Sequence, residues 1–141
     1  MKLLLRGPTE LLLSEFDSPS FEVYGNAGGE GYGPLQMFAG SLGLCTAAVL
    51  QSYDQNVLGL GTDSLQLVVR WSYSERPYRV GSMDVEVIWP GLPAERVKSV
   101  ERAASSCTIH HTLAHPPEVS TSVHRNRPTS SEWSQQAPHQ P

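Results

Sequence analysis

One apolar segment, from Leu35 to Tyr53, limits the folds open to this chain more than any other feature. Pro34 precedes it, in the first-turn position where a helix best tolerates proline, so the segment is predicted to be a long helix. The apolar positions that recur at helical spacing are Phe38, Leu42, Cys45, Val49 and Leu50. Alanines fill much of the remaining surface, and a helix with so little polar surface is expected to be buried on most sides.

Two glycines interrupt this predicted helix, Gly40 and Gly43. Each lowers helix stability by about 1 kcal/mol relative to alanine. A sequence that keeps glycine at such positions indicates that another element approaches the helix closely there.

Strand-like segments lie on both sides of the predicted helix. Lys2 to Leu5 and Thr9 to Leu13 are predicted to form an N-terminal hairpin, followed by a third short strand from Phe21 to Tyr24. Two longer segments, Leu65 to Trp71 and Met83 to Trp89, alternate in polarity, which is typical of strands with one buried face. Their short connection favours an antiparallel pair.

The remaining predicted elements follow Pro93, which opens an amphipathic helix. Cys107 to Leu113 is predicted to be a short third helix, and Glu118 to His124 a final strand. Residues 1–124 are therefore expected to form one α+β domain, with an antiparallel sheet around a buried central helix. Residues 125–141 are rich in Ser, Gln, Pro and His, so they are predicted to be a tail outside the fold.

Composition excludes several classes of function. The net charge of −4 argues against nucleic-acid binding. The longest uninterrupted apolar runs are too short to span a membrane, and no signal peptide is recognisable, so we expect a cytoplasmic protein without a membrane partner. The two cysteines and five histidines lack metal-ligand spacing, so neither a metal nor another cofactor is expected. In a reducing compartment, a bond between Cys45 and Cys107 would be transient and catalytic.

Two segments resemble the OsmC/Ohr family. The first, GGEGYGPLQMFAGSLGLCTA at residues 28–47, resembles the family's glycine-rich loop, proline and cysteine-bearing central helix. The second, SCTIHHTL at residues 106–113, is similar to its second-cysteine motif, usually Cys-Pro-Val followed by a polar pair and Thr-Leu. The order of predicted elements also agrees over residues 1–124. The resemblance implies an OsmC-like fold assembled as an intertwined homodimer, with six-stranded sheets wrapped around paired central helices.

The resemblance also implies a chemistry and the residues that perform it. Family members reduce organic hydroperoxides with two cysteines, so Cys45 would be the attacking thiol and Cys107 the resolving thiol. An external dithiol would then reduce the resulting disulfide. Arg6, near the tip of the N-terminal hairpin, is the candidate for the arginine that contacts the thiolate in the family. Met37, Phe38 and Leu42 are candidates to line an apolar substrate pocket beside Cys45.

One departure from the family pattern keeps the function open. The family's peroxidase branch has a glutamate directly after the helix-opening proline, and this chain has Leu35 there. Glu30 is a candidate substitute. The alternatives are a family member without strong peroxidase activity, which binds a small apolar ligand or has a stress-related role, and a protein of other disulfide-exchange chemistry. Cys45 could also be core packing, and His110 and His111 solvated surface residues.

Overall fold

The computed structural model describes residues 1–25 and 31–126, and within these ranges five strands form one sheet in the order β3-β1-β2-β4-β5. The strands are β1 Lys2–Gly7, β2 Glu10–Ser14, β3 Glu22–Tyr24, β4 Gln66–Glu75 and β5 Tyr78–Ile88. Neighbouring pairs are antiparallel, except that β3 runs parallel to β1. The predicted mixed α+β fold is confirmed, and both strands of the β4–β5 pair are longer than predicted.

The helices lie close to their predicted positions. The long helix α1 spans Pro34–Tyr53 and continues into a π-helical turn, Asp54–Leu58. A 3₁₀ turn at Ala94–Arg96 leads into α2, Val97–Ala104, and a short α3 follows at Thr108–Ala114.

The sheet is the element that approaches the glycines of α1. A β-carbon at Gly43 would lie 2.9 Å from both Cδ atoms of Leu13 and 3.0 Å from Cγ2 of Val69. Both of these side chains are completely buried. Glycine at this position thus lets α1 pack directly against strands β2 and β4 without displacing Leu13 and Val69.

Within one chain, α1 is buried mainly on the side that meets the sheet. Its buried residues face the sheet, whereas Met37 and Phe38 are 62% and 37% exposed on another face. The sequence shows how apolar the helix is, but helical spacing alone does not reveal how many of its faces are covered. The helical stretch Pro34–Leu58 is long and apolar enough to cross a membrane, a test that the core helix of a soluble protein also passes.

The prediction of a final strand at Glu118 to His124 is wrong for the single chain. In the described part of the chain this segment is irregular and pairs with none of the five strands. Val119 and Val123 are 87% and 91% exposed. An alternating sequence becomes a strand only when a neighbouring strand satisfies its backbone groups, and none of the described residues pairs with this segment.

Charged side chains connect three strands on the solvent-facing side of the sheet. Arg70 of β4 lies 2.6 Å from Glu10 of β2 and 2.8 Å from Glu86 of β5. Asp84 lies at 4.0 Å from the same guanidinium. These residues are partly exposed, and together they hold one cation among three carboxylates.

Candidate redox site

Packing of α1 against the start of α3 brings the two cysteines together. Cys45 lies about three turns inside α1 and is half-buried. Cys107 is fully buried and caps the N-terminus of α3, where its sulfur accepts a hydrogen bond from the His110 backbone N–H at 3.2 Å. Cys45 influences the protonation of the Cys107 thiol, so the two thiols are neighbours.

Thr46 joins the same cluster from α1. Its buried hydroxyl lies 2.9 Å from the Leu42 carbonyl and 3.8 Å from the Cys107 sulfur. The Cys107 thiol is thus surrounded by a hydroxyl, a backbone N–H and the second thiol. Neither Thr46 nor the backbone of His110 was among the predicted site residues, because their contribution depends on how α1 and α3 pack.

The environment of Cys107 favours its protonated form. Burial is the largest influence and raises the pKa of the Cys107 thiol. The hydrogen bond from His110 opposes this, whereas the hydrogen bond and negative charge of Cys45 raise the pKa further. Near neutral pH, Cys107 therefore keeps its proton.

Cys45 opens onto a groove of about 770 Å³ between α1, α2 and the start of α3. The lining is mainly apolar or uncharged, and among the described residues it contains one formally charged side chain, Arg102. The other lining residues are Ala48, Val49, Ser52, Tyr53, Asn56, Val57, Ser99, Ala103, Ser106 and Thr108. The groove gives Cys45 a route to solvent and a surface that could contact a small molecule.

The predicted pocket residues lie elsewhere. Leu42 is buried and lines a groove of about 630 Å³ between α1, β5 and α2. Phe38 and Leu42 together line a third groove, next to β5. Met37 is exposed and lines none of these grooves in the described part of the chain. The sequence pattern did not distinguish the face of α1 that carries Cys45 from the faces on either side of it.

The predicted arginine, Arg6, does not line the Cys45 groove. Arg6 is about half exposed, and its guanidinium pairs with Glu10 at 3.4 Å. Leu35 is half-buried in the first turn of α1. Glu30 lies outside the described residues. Across residues 1–25 and 31–126, no group of three or more His, Cys, Asp or Glu side chains is arranged to hold a metal ion.

Comparison with known proteins shows the family and the fold of this chain. Residues 27–122, more than half of the chain, match the family model described as OsmC-like protein. A solved structure from Psychrobacter arcticus 273-4, named an osmotic stress induced and detoxification response protein, is similar in fold: TM-score 0.54, 14% identity, 78% of this chain and 84% of that chain covered. No curated protein matches the chain significantly. The matched segment contains α1 with Cys45 and the start of α3 with Cys107, and the chain belongs to the OsmC-like protein family.

Proposed function

We propose that this protein reduces organic hydroperoxides with two thiols, Cys45 as the attacking group and Cys107 as the resolving group. The observation that carries the proposal is that a half-buried Cys45, which opens onto a groove, has a fully buried Cys107 as its neighbour. The two residues differ in their access to solvent, as the two roles require. Cys45 can meet a substrate in the groove, whereas Cys107 is fully buried.

The proposed reaction proceeds in three balanced steps. The Cys45 thiolate attacks one peroxide oxygen, the O–O bond breaks, and the alcohol leaves after taking up a proton, so that Cys45 becomes a sulfenic acid. The Cys107 sulfur then attacks Cys45, which forms a disulfide and releases water. Finally, an external dithiol donates two electrons and two protons to the disulfide and is itself oxidised. The close approach of the two thiols supports direct disulfide formation.

A general role in stress response or detoxification is consistent with this chemistry. Support comes from membership of the OsmC-like family and from the similar fold of the Psychrobacter arcticus protein, whose name refers to osmotic stress and detoxification. Two cysteines kept as free thiols suit a reducing compartment such as the cytoplasm, which is the location we propose.

We further propose that two copies of the chain assemble as a homodimer. Met37 and Phe38 leave an apolar face on the N-terminal half of α1, and Val119 and Val123 are almost fully exposed. In the described part of the chain, the outer edge of β5 pairs with no other strand. A second copy would cover the face of α1, and its Glu118–His124 segment could pair with an open sheet edge.

The proposed chemistry is tested by stopped-flow measurement of tert-butyl hydroperoxide consumption with the wild type and both cysteine variants. Cys45→Ser should abolish the reaction. Cys107→Ser should permit one turnover and leave Cys45 as a sulfenic acid, which dimedone traps. Ser41→Ala, on the same helix, is the matched control and should leave the rate unchanged. Equal, slow consumption by the wild type and Cys45→Ser would contradict the proposal.

The position after Pro34 offers a second test. With Leu35 in place of the family's glutamate, the wild-type rate is expected to lie below that of the peroxidase branch, and Leu35→Glu is expected to raise it. Leu35→Gln introduces a side chain of the same size as glutamate but without its charge. It therefore separates the effect of the carboxylate from that of polarity. A rate that is the same in all three proteins would show that the missing glutamate is not limiting.

An apolar-ligand-binding role is the second candidate function. The observation that favours it is the groove of about 630 Å³ between α1, β5 and α2, where Leu42, Met83 and Val100 form an apolar part of the wall. The carboxylates of the same lining are Asp84, Glu86 and Glu101. A fluorescent apolar probe, displaced by candidate ligands, would test it. Binding that persists in Cys45→Ser, together with no peroxide consumption by the wild type, would favour this function over the peroxidase.

A further inference from the structure

The groove beside Cys45 has an unusual charge pattern. Among its described lining residues, the single formal charge is the guanidinium of Arg102 on α2. No carboxylate within residues 1–25 and 31–126 lies at ion-pair distance from it. An arginine stays protonated at every physiological pH. The positive charge of Arg102 is therefore available to whatever anion forms in the groove.

Cys45 is the thiol that lines this groove, and its thiolate is the anion that the proposed chemistry needs. The other titratable or charged groups that face it are Tyr53 on α1, Arg102 on α2 and Cys107 at the start of α3. Neither a tyrosine nor a protonated thiol supplies positive charge. Cys45 also lies too far inside α1 to benefit from the helix dipole, whose effect is confined to the first turn.

The candidate cation from the sequence is already engaged. Arg6 pairs with Glu10, and the family's supporting glutamate is replaced by Leu35. The cation in the Cys45 groove comes from a different element. Arg102 is on α2, which packs along α1, and it faces the same groove as Cys45.

We propose that the guanidinium of Arg102 stabilises the thiolate of Cys45. Its role in turnover rests on the proposed peroxidase function, in which negative charge moves from the Cys45 sulfur to the departing alkoxide oxygen. A cation in the groove favours the charge at both ends of that movement. Its effect on the Cys45 thiolate requires no peroxide and can be measured separately.

The test measures the rate of alkylation of Cys45 by iodoacetamide between pH 5 and pH 10. It is performed in a Cys107→Ser background, so that Cys45 is the one remaining cysteine. Arg102→Gln should move the midpoint of the profile to higher pH and slow alkylation at pH 7 by roughly three- to tenfold, as expected for loss of one partly exposed cation. Arg102→Lys, which keeps the charge, should retain most of the wild-type rate.

Arg96→Gln is the matched control, because Arg96 is exposed at the start of α2 and lies outside the lining of the groove. It should leave the profile unchanged. The difference between Arg102→Gln and its parent should also shrink in high salt, because salt screens exposed charges. A purely structural role for Arg102 would not give this salt dependence or a rescue by lysine.

The outcomes separate this inference from the proposed function. If Arg102→Gln and Arg96→Gln give superimposable alkylation profiles, the inference about Arg102 is wrong, whatever the peroxidase activity. If Arg102→Gln moves the profile but the wild type consumes no hydroperoxide, the thiolate is stabilised as proposed and the peroxidase function fails. If both effects occur, Arg102→Gln should also slow the first turnover with tert-butyl hydroperoxide by a similar factor.

Discussion

The close contact between α1 and the sheet predicts opposite effects for two similar substitutions, Gly43→Ala and Gly40→Ala. Alanine improves helix propensity by about 1 kcal/mol at either position. At Gly43 the added β-carbon would meet Leu13 at 2.9 Å and Val69 at 3.0 Å, and both are completely buried. Overpacking of this kind costs about 1–3 kcal/mol. Gly43→Ala should therefore leave the free energy of unfolding between unchanged and about 2 kcal/mol lower.

Gly40 provides the contrast. Its added β-carbon would lie 2.5 Å from the Tyr32 hydroxyl, which is the far end of a half-buried side chain, and 3.4 Å from Leu3. Tyr32 can rotate away, so Gly40→Ala should keep much of the helix-propensity gain and raise the free energy of unfolding by up to about 1 kcal/mol.

Urea unfolding, followed by circular dichroism at one fixed protein concentration, measures both free energies. Thermal unfolding gives an independent value, since 1 kcal/mol corresponds to about 3–5 °C in a chain of this size. The two variants should differ by about 1–3 kcal/mol, with Gly40→Ala the more stable. If Gly43→Ala stabilises the protein as much as Gly40→Ala does, then α1 does not pack directly on β2 and β4.

Three further predictions concern a buried carboxylate, the resolving thiol and the tail. Asp54→Asn should lower the free energy of unfolding by about 1–2 kcal/mol in urea titrations, because its buried carboxylate accepts two backbone N–H groups at 2.8 and 3.0 Å; the exposed Asp84→Asn should change it little. The raised pKa of Cys107 means that its proton contributes stability that is complete below the ordinary thiol pKa and lost as pH rises through the folded value. Between pH 7 and pH 10, Cys107→Ser should thus lose less stability than the wild type, and equal losses would contradict this. Removal of residues 127–141 should change the Tm by no more than a few degrees, and a larger fall would show that the tail packs.

The sequence was most informative where a local signal and a long pattern coincide. Pro34 marks the start of α1, and the apolar segment after it predicts a helix. The observed α1 ends at Tyr53, as predicted. A short helix that starts at Cys107 was likewise predicted, and Cys107 caps the N-terminus of α3. These features depend on residues that are neighbours in the chain, so a single sequence contains the information.

Features that depend on which elements meet could not be predicted in the same way. Helical spacing placed Leu42 and Cys45 on one apolar helix, but only the packing of α2 and β5 assigns them to different grooves. Arg102 looked like an ordinary charge on the polar face of an amphipathic helix. The alternation from Glu118 to His124 predicted a strand, yet a strand also needs a neighbour to pair with, and its sequence does not identify one.

The ion pairs of Arg70 matter more for the register of the strands than for the stability of the sheet. Exposed ion pairs contribute little to the free energy of unfolding, so Glu10 and Glu86 do not hold the sheet together by attraction alone. However, a shift of β4 by one residue would turn Arg70 towards the core and expose its buried neighbours Val69 and Trp71. The guanidinium would then lose both its ion pairs with the carboxylates and its hydration by solvent. The cluster thus penalises misaligned sheets during folding, and it selects the single alignment in which α1 can settle on β2 and β4.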